Sequence, residues 1–193
     1  AIPAEAWLGA RLGERLGRIQ NTHFTTGDSI NKPQGVMTIS TQGRQAAVGN
    51  TTTIPFDDVF RLIHSVDVAY RNPRCRFMAH DNTIRDLRLA KDGQGRYLWP
   101  ELGNVQLGQP LTLAGYPVVV NNDVATMAAS AKAISFGDHF AYKIRRVSAI
   151  TIVRLGELFA ENAQVGFLAF LRADGGLVDA GQGPVKHFAN SAT

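Results

Sequence analysis

The first part of the chain carries apolar side chains at the three-to-four-residue spacing of an amphipathic helix. Pro3 and Glu5 stand near its start, where a first helical turn tolerates proline and the positive helix end favours an acid. A turn-rich stretch that follows Phe24 ends the pattern. We therefore predict a helix over residues 2–24, with these apolar positions: Trp7, Leu8, Leu12, Leu16 and Ile19.

Three glycines, Gly9, Gly13 and Gly17, recur at every fourth position on a neighbouring stripe of this helix. Each costs helix stability by roughly 1 kcal/mol relative to alanine. Two interpretations stay open. Either another element or another subunit packs closely against the stripe, or the stripe has no packing role, since a Gly-x-x-x-Gly pattern has a clear meaning only in membranes.

A second helix is predicted after residues 36–53, a region with little strand character. Residues 36–53 are rich in threonine, glutamine and glycine and form short strands at most. Asp57 and Asp58 then begin a helix that we expect to run to Asn72-Pro73. Its core-facing positions are Val59, Phe60, Leu62, Ile63, Val66 and Ala69.

Residues 75–79 predict a short strand, after which Asp81 or Asn82 is expected to cap a third helix that runs towards Lys91. The rest of the chain favours strands, and a long antiparallel pair is expected from its last two β-branched segments. The predicted strands cover residues 118–120, 133–136, 142–155 and 165–172. Helices early and strands late indicate an α+β fold.

Composition excludes a few classes. With 193 residues, 45% of them hydrophobic, the chain can bury one substantial core or two small ones. The net charge of +4 favours polyanionic partners only mildly. Cys75 is the single cysteine, so neither an intrachain disulfide nor a cysteine-based zinc cluster can form. We expect no membrane span and no signal peptide, and we expect Ala1 to be a cut end.

No catalytic, cofactor-binding or metal-binding residues are predicted, because no known spacing of acids, bases, nucleophiles or ligands occurs. His80-Asp81 is expected to cap a helix, His64 to make a local polar contact with Asp67, and His139 and His187 lack partners at metal-ligand spacing. The aromatic residues of the middle region are expected to pack in the core rather than to stack on nucleobases: Tyr97, Trp99, Phe136, Phe140 and Tyr142.

Several segments, taken in order, resemble HK97-like major capsid proteins of tailed phages and prophages. The central one is Phe77-Met78-Ala79-His80-Asp81-Asn82-Thr83, and the others are residues 26–28, 31–35, 87–92, 95–99, 109–110, 113–118, 134–138 and 142–154. The resemblance covers roughly residues 8–188 and corresponds to the C-terminal two thirds of such proteins. It implies an HK97-like fold and a structural, non-enzymatic subunit of an icosahedral shell that encloses double-stranded DNA.

The resemblance also implies an organisation and partners. Residues 1–37 would form the spine helix and the entry to the peripheral (P) domain, residues 38–140 the axial (A) domain, and residues 141–193 the P-domain strands and C-terminus. The full-length protein would form hexamers and pentamers, hold packaged DNA on a basic inner face, and contact scaffolding, portal or decoration proteins. No cofactor and no membrane contact is expected. The location would be the virion, after synthesis in the bacterial cytoplasm.

Departures from the family pattern qualify this picture. The family's scaffolding segment, N-arm and E-loop precede the spine helix and are expected to be missing, so this chain is expected to be able to exist as a monomer. Some members form a Lys-to-Asn crosslink. Asn162 lies near the expected asparagine, but Phe170 and apolar neighbours occupy the expected glutamate region, so we predict no crosslinking. Two alternatives remain: an encapsulin-like compartment shell, or a small nucleic-acid-binding or hydrolase domain.

Overall fold

The computed structural model describes residues 4–99, 111–147 and 149–193. Residues 2 and 3 of the predicted first helix and the segment 109–110 lie outside the described residues. The described helices are α1 (Ala4–Thr26), α2 (Val36–Ile39), α3 (Phe56–Ser65) and α4 (Asp81–Leu89). The described strands are β1 (Thr41–Gln45), β2 (Arg76–Ala79), β3 (Thr112–Leu113), β4 (Tyr116–Val120), β5 (Lys132–Gly137), β6 (Tyr142–Arg146), β7 (Thr151–Leu155), β8 (Gly166–Phe170), β9 (Ala173–Leu177) and β10 (Val185–Ala189).

A six-stranded mixed sheet forms the centre of the molecule, in the order β1-β10-β5-β2-β4-β3. β1 runs parallel to β10 and β2 runs parallel to β4, whereas β5 is antiparallel to both of its neighbours. The last strand, β10, lies inside this sheet between β1 and β5, and not beside β9, the strand that comes directly before it in the chain.

Both faces of the sheet are covered, because successive side chains of a strand point to opposite faces. Phe77 and Ala79 of β2 belong to a cluster that includes α3 and α4, whereas Met78 belongs to a second cluster with Val36 and Met37 at α2. The central strands therefore have buried side chains on both faces, as the buried pattern of β5 shows.

A buried carboxylate fixes α3 to the edge strand. Asp58 is almost fully buried and accepts hydrogen bonds from Arg44 Nε on β1 at 2.7 Å and from Arg61 at 3.3 Å. A buried charge is tolerated only when it is paired in this way. The contact sets the position of α3 over the sheet, where Val59, Leu62 and Ile63 enter the core.

The predicted α+β content is confirmed, but two boundaries were wrong. α3 ends at Ser65 and not at Asn72-Pro73, because the backbone of Val66 is extended and its side chain is completely buried. The side chain of Asp67 then accepts a hydrogen bond from Ala69 N and begins a separate 3-10 turn. α4 is capped by the His80 ring, since His80 Nδ1 accepts from Asn82 N at 3.0 Å; this confirms the expected capping role of His80-Asp81, whereas the assignment of the cap to Asp81 or Asn82 was wrong.

The predicted long antiparallel pair is confirmed and is longer than expected. Tyr142 pairs with Leu177 at one end, and Leu155 pairs with Gly166 at the other. The first ladder ends where Arg146 pairs with Ala173, and the second begins where Thr151 pairs with Phe170. One arm therefore has two more residues than the other between the ladders, as in a β-bulge. We call residues 142–177 the ribbon and residues 156–165 its tip.

Candidate assembly surfaces

The C-terminal half of α1 is docked on the end of the central sheet through polar side chains. Thr22 Oγ1 donates to Asp123 at 2.9 Å, and Asn21 donates to Asn121 at 2.8 Å. Asn121 in turn donates to Thr25 Oγ1 at 2.8 Å. These bonds connect residues about one hundred positions apart, so they fix the direction in which the helix leaves the sheet.

The N-terminal half of α1 is far less covered. Trp7 is 54% exposed, and Leu8, Leu12 and Phe167, together with Arg154, line a cavity of about 250 Å³ between the helix and the ribbon. A Cβ at Gly9 would meet only Ile152 Cδ1 at 3.9 Å. The helix therefore carries apolar surface along a face that is only partly closed by its own chain.

The glycine stripe remains open on the described structure. A Cβ built at Gly13 or Gly17 would have no neighbour within 4 Å. Among the described residues, no other element of the same chain therefore packs closely enough to explain these two glycines. Packing by another subunit stays a prediction.

The ribbon exposes apolar side chains on both faces. An isolated two-stranded sheet is marginally stable in water, and extended apolar surface marks interaction sites. The ribbon is thus incomplete as a free element and is a candidate assembly surface. The exposed apolar residues are Ile144, Val147, Ile150, Ile152, Val153, Leu158, Phe159, Val165, Leu168 and Phe170.

Basic residues accompany these apolar surfaces. On α1, Arg11 and Arg18 both pair with Glu14, and Arg15 is exposed. On the ribbon the exposed basic residues are Lys143, Arg145, Arg146, Arg154 and Arg172. Such a surface favours polyanions, but exposed pairs like those on α1 contribute little to stability.

The histidines that the sequence raised as possible ligands have structural partners instead. His187 Nδ1 lies 2.9 Å from Ser40 Oγ, and His139 lies 3.1 Å from both Ser135 Oγ and the Gly137 carbonyl. His64 contacts Arg71 and not Asp67, which corrects the expected contact. Within the described residues, no group of three or more histidine, cysteine or acidic side chains is arranged to hold a metal ion.

The aromatic side chains divide into two groups. Trp99 and Phe136 are buried, as predicted. Tyr97 and Phe140 are exposed, which contradicts the expectation of core packing, and each lies under a cation: Lys91 over Tyr97, and Arg74 and Arg76 over Phe140. Tyr142 is partly buried and packs edge-on against Phe24, 6.2 Å between ring centroids.

The two residues weighed for crosslinking lie on the ribbon. Asn162 is exposed in a 3-10 turn at the tip, and Phe170 is half-exposed at the end of β8. They stand in different parts of the ribbon, and the absence of crosslinking remains a prediction. None of the described helices is long and apolar enough to cross a membrane.

Acid should weaken the fold through His139 and His187. Burial lowers the pKa of each ring to about 4, from an ordinary value of 6.5. The unfolded chain therefore binds more protons between these values, and stability is lost as the pH falls through that window. We expect urea unfolding at pH 4.5 to show a loss of about 2–3 kcal/mol per histidine relative to pH 7.

A variant with both His139→Gln and His187→Gln should have a flatter dependence over this range. His23→Gln is the control for loss of a histidine outside the sheet. An equally steep loss in the double variant would contradict the assignment of the acid sensitivity to these two rings.

Comparison with known proteins identifies the class. The profile of the phage capsid family matches residues 1–182. The chain belongs to the phage capsid family. Its members are structural and non-enzymatic, so the prediction that the chain is a structural subunit of a capsid shell, and not an enzyme, is confirmed. No match was found among curated protein sequences.

Solved structures agree with the family. The chain is similar to the capsid of a native GTA particle computed with C5 symmetry, with 28% identity and a TM-score of 0.82 over 98% of this chain and 66% of that one. The empty GTA particle gives 27% identity and a TM-score of 0.80, over 98% of this chain and 67% of that one. The chain thus spans about two thirds of the length of these capsid proteins.

A more distant likeness supports the fold alone. The structure from Mycobacterium phage Adephagia matches with 14% identity and a TM-score of 0.72, over 100% of this chain and 67% of that one. The HK97-like fold predicted from the sequence is confirmed, and oligomeric capsid assembly follows from the similarity to assembled shells. These matches favour neither the compartment shell nor the nucleic-acid-binding domain.

Two features of these surfaces were not predicted from the sequence. The docking of α1 through Asn121 and Asp123 was missed, although a polar Asn-Asn-Asp run directly after a strand was its signal. The two-sided exposure of the ribbon was also missed. The adjacent pair Ile152-Val153 indicates apolar side chains on both faces, but a strand buried on both faces shows the same pattern, so it does not predict exposure.

Proposed function

We propose that the chain is part of the major capsid protein of a tailed phage or prophage, whose copies form hexamers and pentamers of an icosahedral shell around double-stranded DNA. The observation that carries the proposal is the similarity along 98% of the chain to the capsid of a native GTA particle. The exposed apolar ribbon supports it, because such a surface is expected to be covered by a partner.

The proposed organisation has a spine helix and P-domain entry over residues 1–37, an A domain over residues 38–140, and P-domain strands over residues 141–193. The position of β10 inside the central sheet suggests one refinement: residues 185–189 belong with the A domain. The P domain then consists of α1 and the ribbon, which share the cavity between them.

The inner face is proposed to contact DNA without sequence preference, through exposed arginines such as Arg15 and Arg18 on α1. Scaffolding, portal and decoration proteins are proposed as further partners. Synthesis in the bacterial cytoplasm agrees with a single buried cysteine, since such a chain forms no intrachain disulfide.

Nuclease protection tests the DNA part of the proposal. Particles purified from cells that express the complete gene with the phage packaging functions should retain double-stranded DNA after nuclease treatment. Arg15→Glu with Arg18→Glu should lower the amount of protected DNA, whereas Arg85→Glu on α4 should not. Particles that hold protein cargo and no DNA would contradict the proposal and favour a compartment shell.

Gly13→Leu should separate folding from assembly. Because a Cβ at Gly13 has no neighbour within 4 Å, the isolated subunit should keep its stability or gain roughly 1 kcal/mol from the better helix former. If another subunit packs on the stripe, the yield of assembled particles should fall sharply. Thermal unfolding of subunits measures the effect on stability, and sedimentation of particles measures the effect on assembly. Normal assembly would exclude close packing of another subunit on the glycine stripe.

A further inference from the structure

A cleft at the junction of the central sheet and the ribbon has no role in the fold described so far. Its volume is about 320 Å³, and it is lined by Tyr70, Arg74, Phe140, Lys143, Val178 and Pro184, among others. We call it the basic cleft. Phe140 is 50% exposed at its edge.

Positive charge surrounds that exposed ring. The Arg76 guanidinium carbon lies 4.9 Å and that of Arg74 lies 5.8 Å from the Phe140 ring centroid. Asp138 is buried beneath them and is satisfied, because it accepts from Asn72 at 2.8 Å and pairs with Arg74 at 3.3 Å. Asp179 also lines the cleft. Three basic groups, Arg74, Arg76 and Lys143, thus stand against two carboxylates, Asp138 and Asp179, which leaves the cleft and its rim with an excess of one positive charge.

The ribbon tip has the opposite character. Residues 156–165 contain two glutamates, Glu157 and Glu161, and no lysine or arginine. Both glutamates are exposed, and between them Leu158 is 65% and Phe159 is 42% exposed. A 3-10 turn and a left-handed residue, Ala163 at φ 53°, give the tip a defined conformation. The tip thus presents apolar side chains flanked by carboxylates.

We propose that the ribbon tip of one copy docks in the basic cleft of a neighbouring copy, with Leu158 and Phe159 against Phe140 and the two glutamates near Arg76 and Lys143. Each surface pairs exposed apolar groups with a charge that is opposite in sign to that of the other, which is the complementarity that orients protein contacts. A tip-to-cleft contact is heterologous, so repetition generates a closed assembly if the rotation closes. The inference rests on the proposed shell function.

Charge reversal in the complete protein tests the contact. Glu157→Lys with Glu161→Lys reverses the tip, and Arg76→Glu with Lys143→Glu reverses the cleft. Either change alone should lower the yield of sedimenting particles by about tenfold or more, because like charges then meet. The combination of both pairs should recover most of the yield. Asp86→Lys and Arg85→Glu, which are single reversals of each sign on α4, should each assemble as the unmodified protein does.

Circular dichroism and thermal unfolding of each variant show whether the subunit is folded. Normal assembly by either reversed variant would overturn the inference and leave the shell function intact. So would a combined variant that is folded but assembles no better than the single-sided ones. If the unmodified protein forms no particles, the shell function itself fails, and the contact fails with it.

Crosslinking gives a second readout that does not depend on charge. Leu158→Cys together with Phe140→Cys should form disulfide-linked chains between copies when particles are treated with a mild oxidant, while the buried Cys75 stays unreacted. Leu158→Cys with Phe60→Cys is the control, since Phe60 is exposed on α3 and does not line the cleft. Equal crosslinking in both pairs, or none in the first, would contradict the contact.

Discussion

Phe136→Ala is expected to lower the free energy of unfolding by about 3–5 kcal/mol. Phe136 is completely buried on β5 and lies 4.7 Å from the Phe77 ring and 4.8 Å from the Tyr116 ring, measured between centroids. Removing the ring leaves a cavity where three strands meet, and the two remaining aromatic rings lose their main contact. Urea unfolding of the isolated subunit, followed by circular dichroism, measures the loss.

Phe60→Ala is the matched control. Phe60 was expected to face the core but is 49% exposed on α3, so the same truncation removes less buried surface and should cost well under half as much. Equal losses at the two positions would mean that the aromatic cluster on β2, β4 and β5 is not the centre of the core.

Gly137→Ala is expected to destabilise the subunit by about 2–4 kcal/mol, through two independent causes. Gly137 has φ of +146°, a backbone conformation that residues with a Cβ rarely adopt. In addition, a Cβ there would lie 2.1 Å from the Pro184 carbonyl oxygen and 2.8 Å from Val185 Cα, which are backbone atoms of the segment entering β10. The main chain of β5 or β10 must shift to relieve the overlap.

Gly115→Ala separates the two causes. Gly115 also has a positive φ, +83°, but a Cβ there would have no neighbour within 4 Å. It should therefore cost only the conformational part, about 1 kcal/mol. The difference between the two variants in unfolding free energy measures the close approach of β10 to β5. A difference near zero would contradict the register that places Val185 opposite Gly137.

The elements that the sequence predicted well are those with a strong local signal. Helix α1 follows from its apolar spacing, and β5 follows from an apolar run that a Gly-Asp pair ends. The end of α3 could not be predicted in this way. The apolar pattern continues past Ser65, and only the burial of Val66 in the core, a tertiary effect, turns the chain out of the helix.

The cap of α4 illustrates another limit. Asp81 and Asn82 are typical capping residues, and histidine is not among the preferred ones. His80 takes the role because strand β2 delivers it to the helix start with its ring nitrogen 3.0 Å from the Asn82 amide. The position of β10 in the central sheet is likewise determined by its pairing with β1 and β5, which are far away in the sequence.

The assembly surfaces were the least predictable part. The sequence resemblance indicated a shell subunit, but nothing local in the chain distinguishes an apolar strand that a core covers from one that another subunit covers. The ribbon and Phe140 became candidates only when the structure showed them exposed. The partners proposed for them are other copies of the chain, so a test must involve assembled protein.

The most direct test is negative-stain microscopy, together with mass analysis, of the protein expressed from its complete gene. We expect closed icosahedral shells, whose diameter and mass give the number of subunits. A stable monomer or a small ring from the complete gene product would contradict the account, because the exposed ribbon would then have no copies of the chain to cover it.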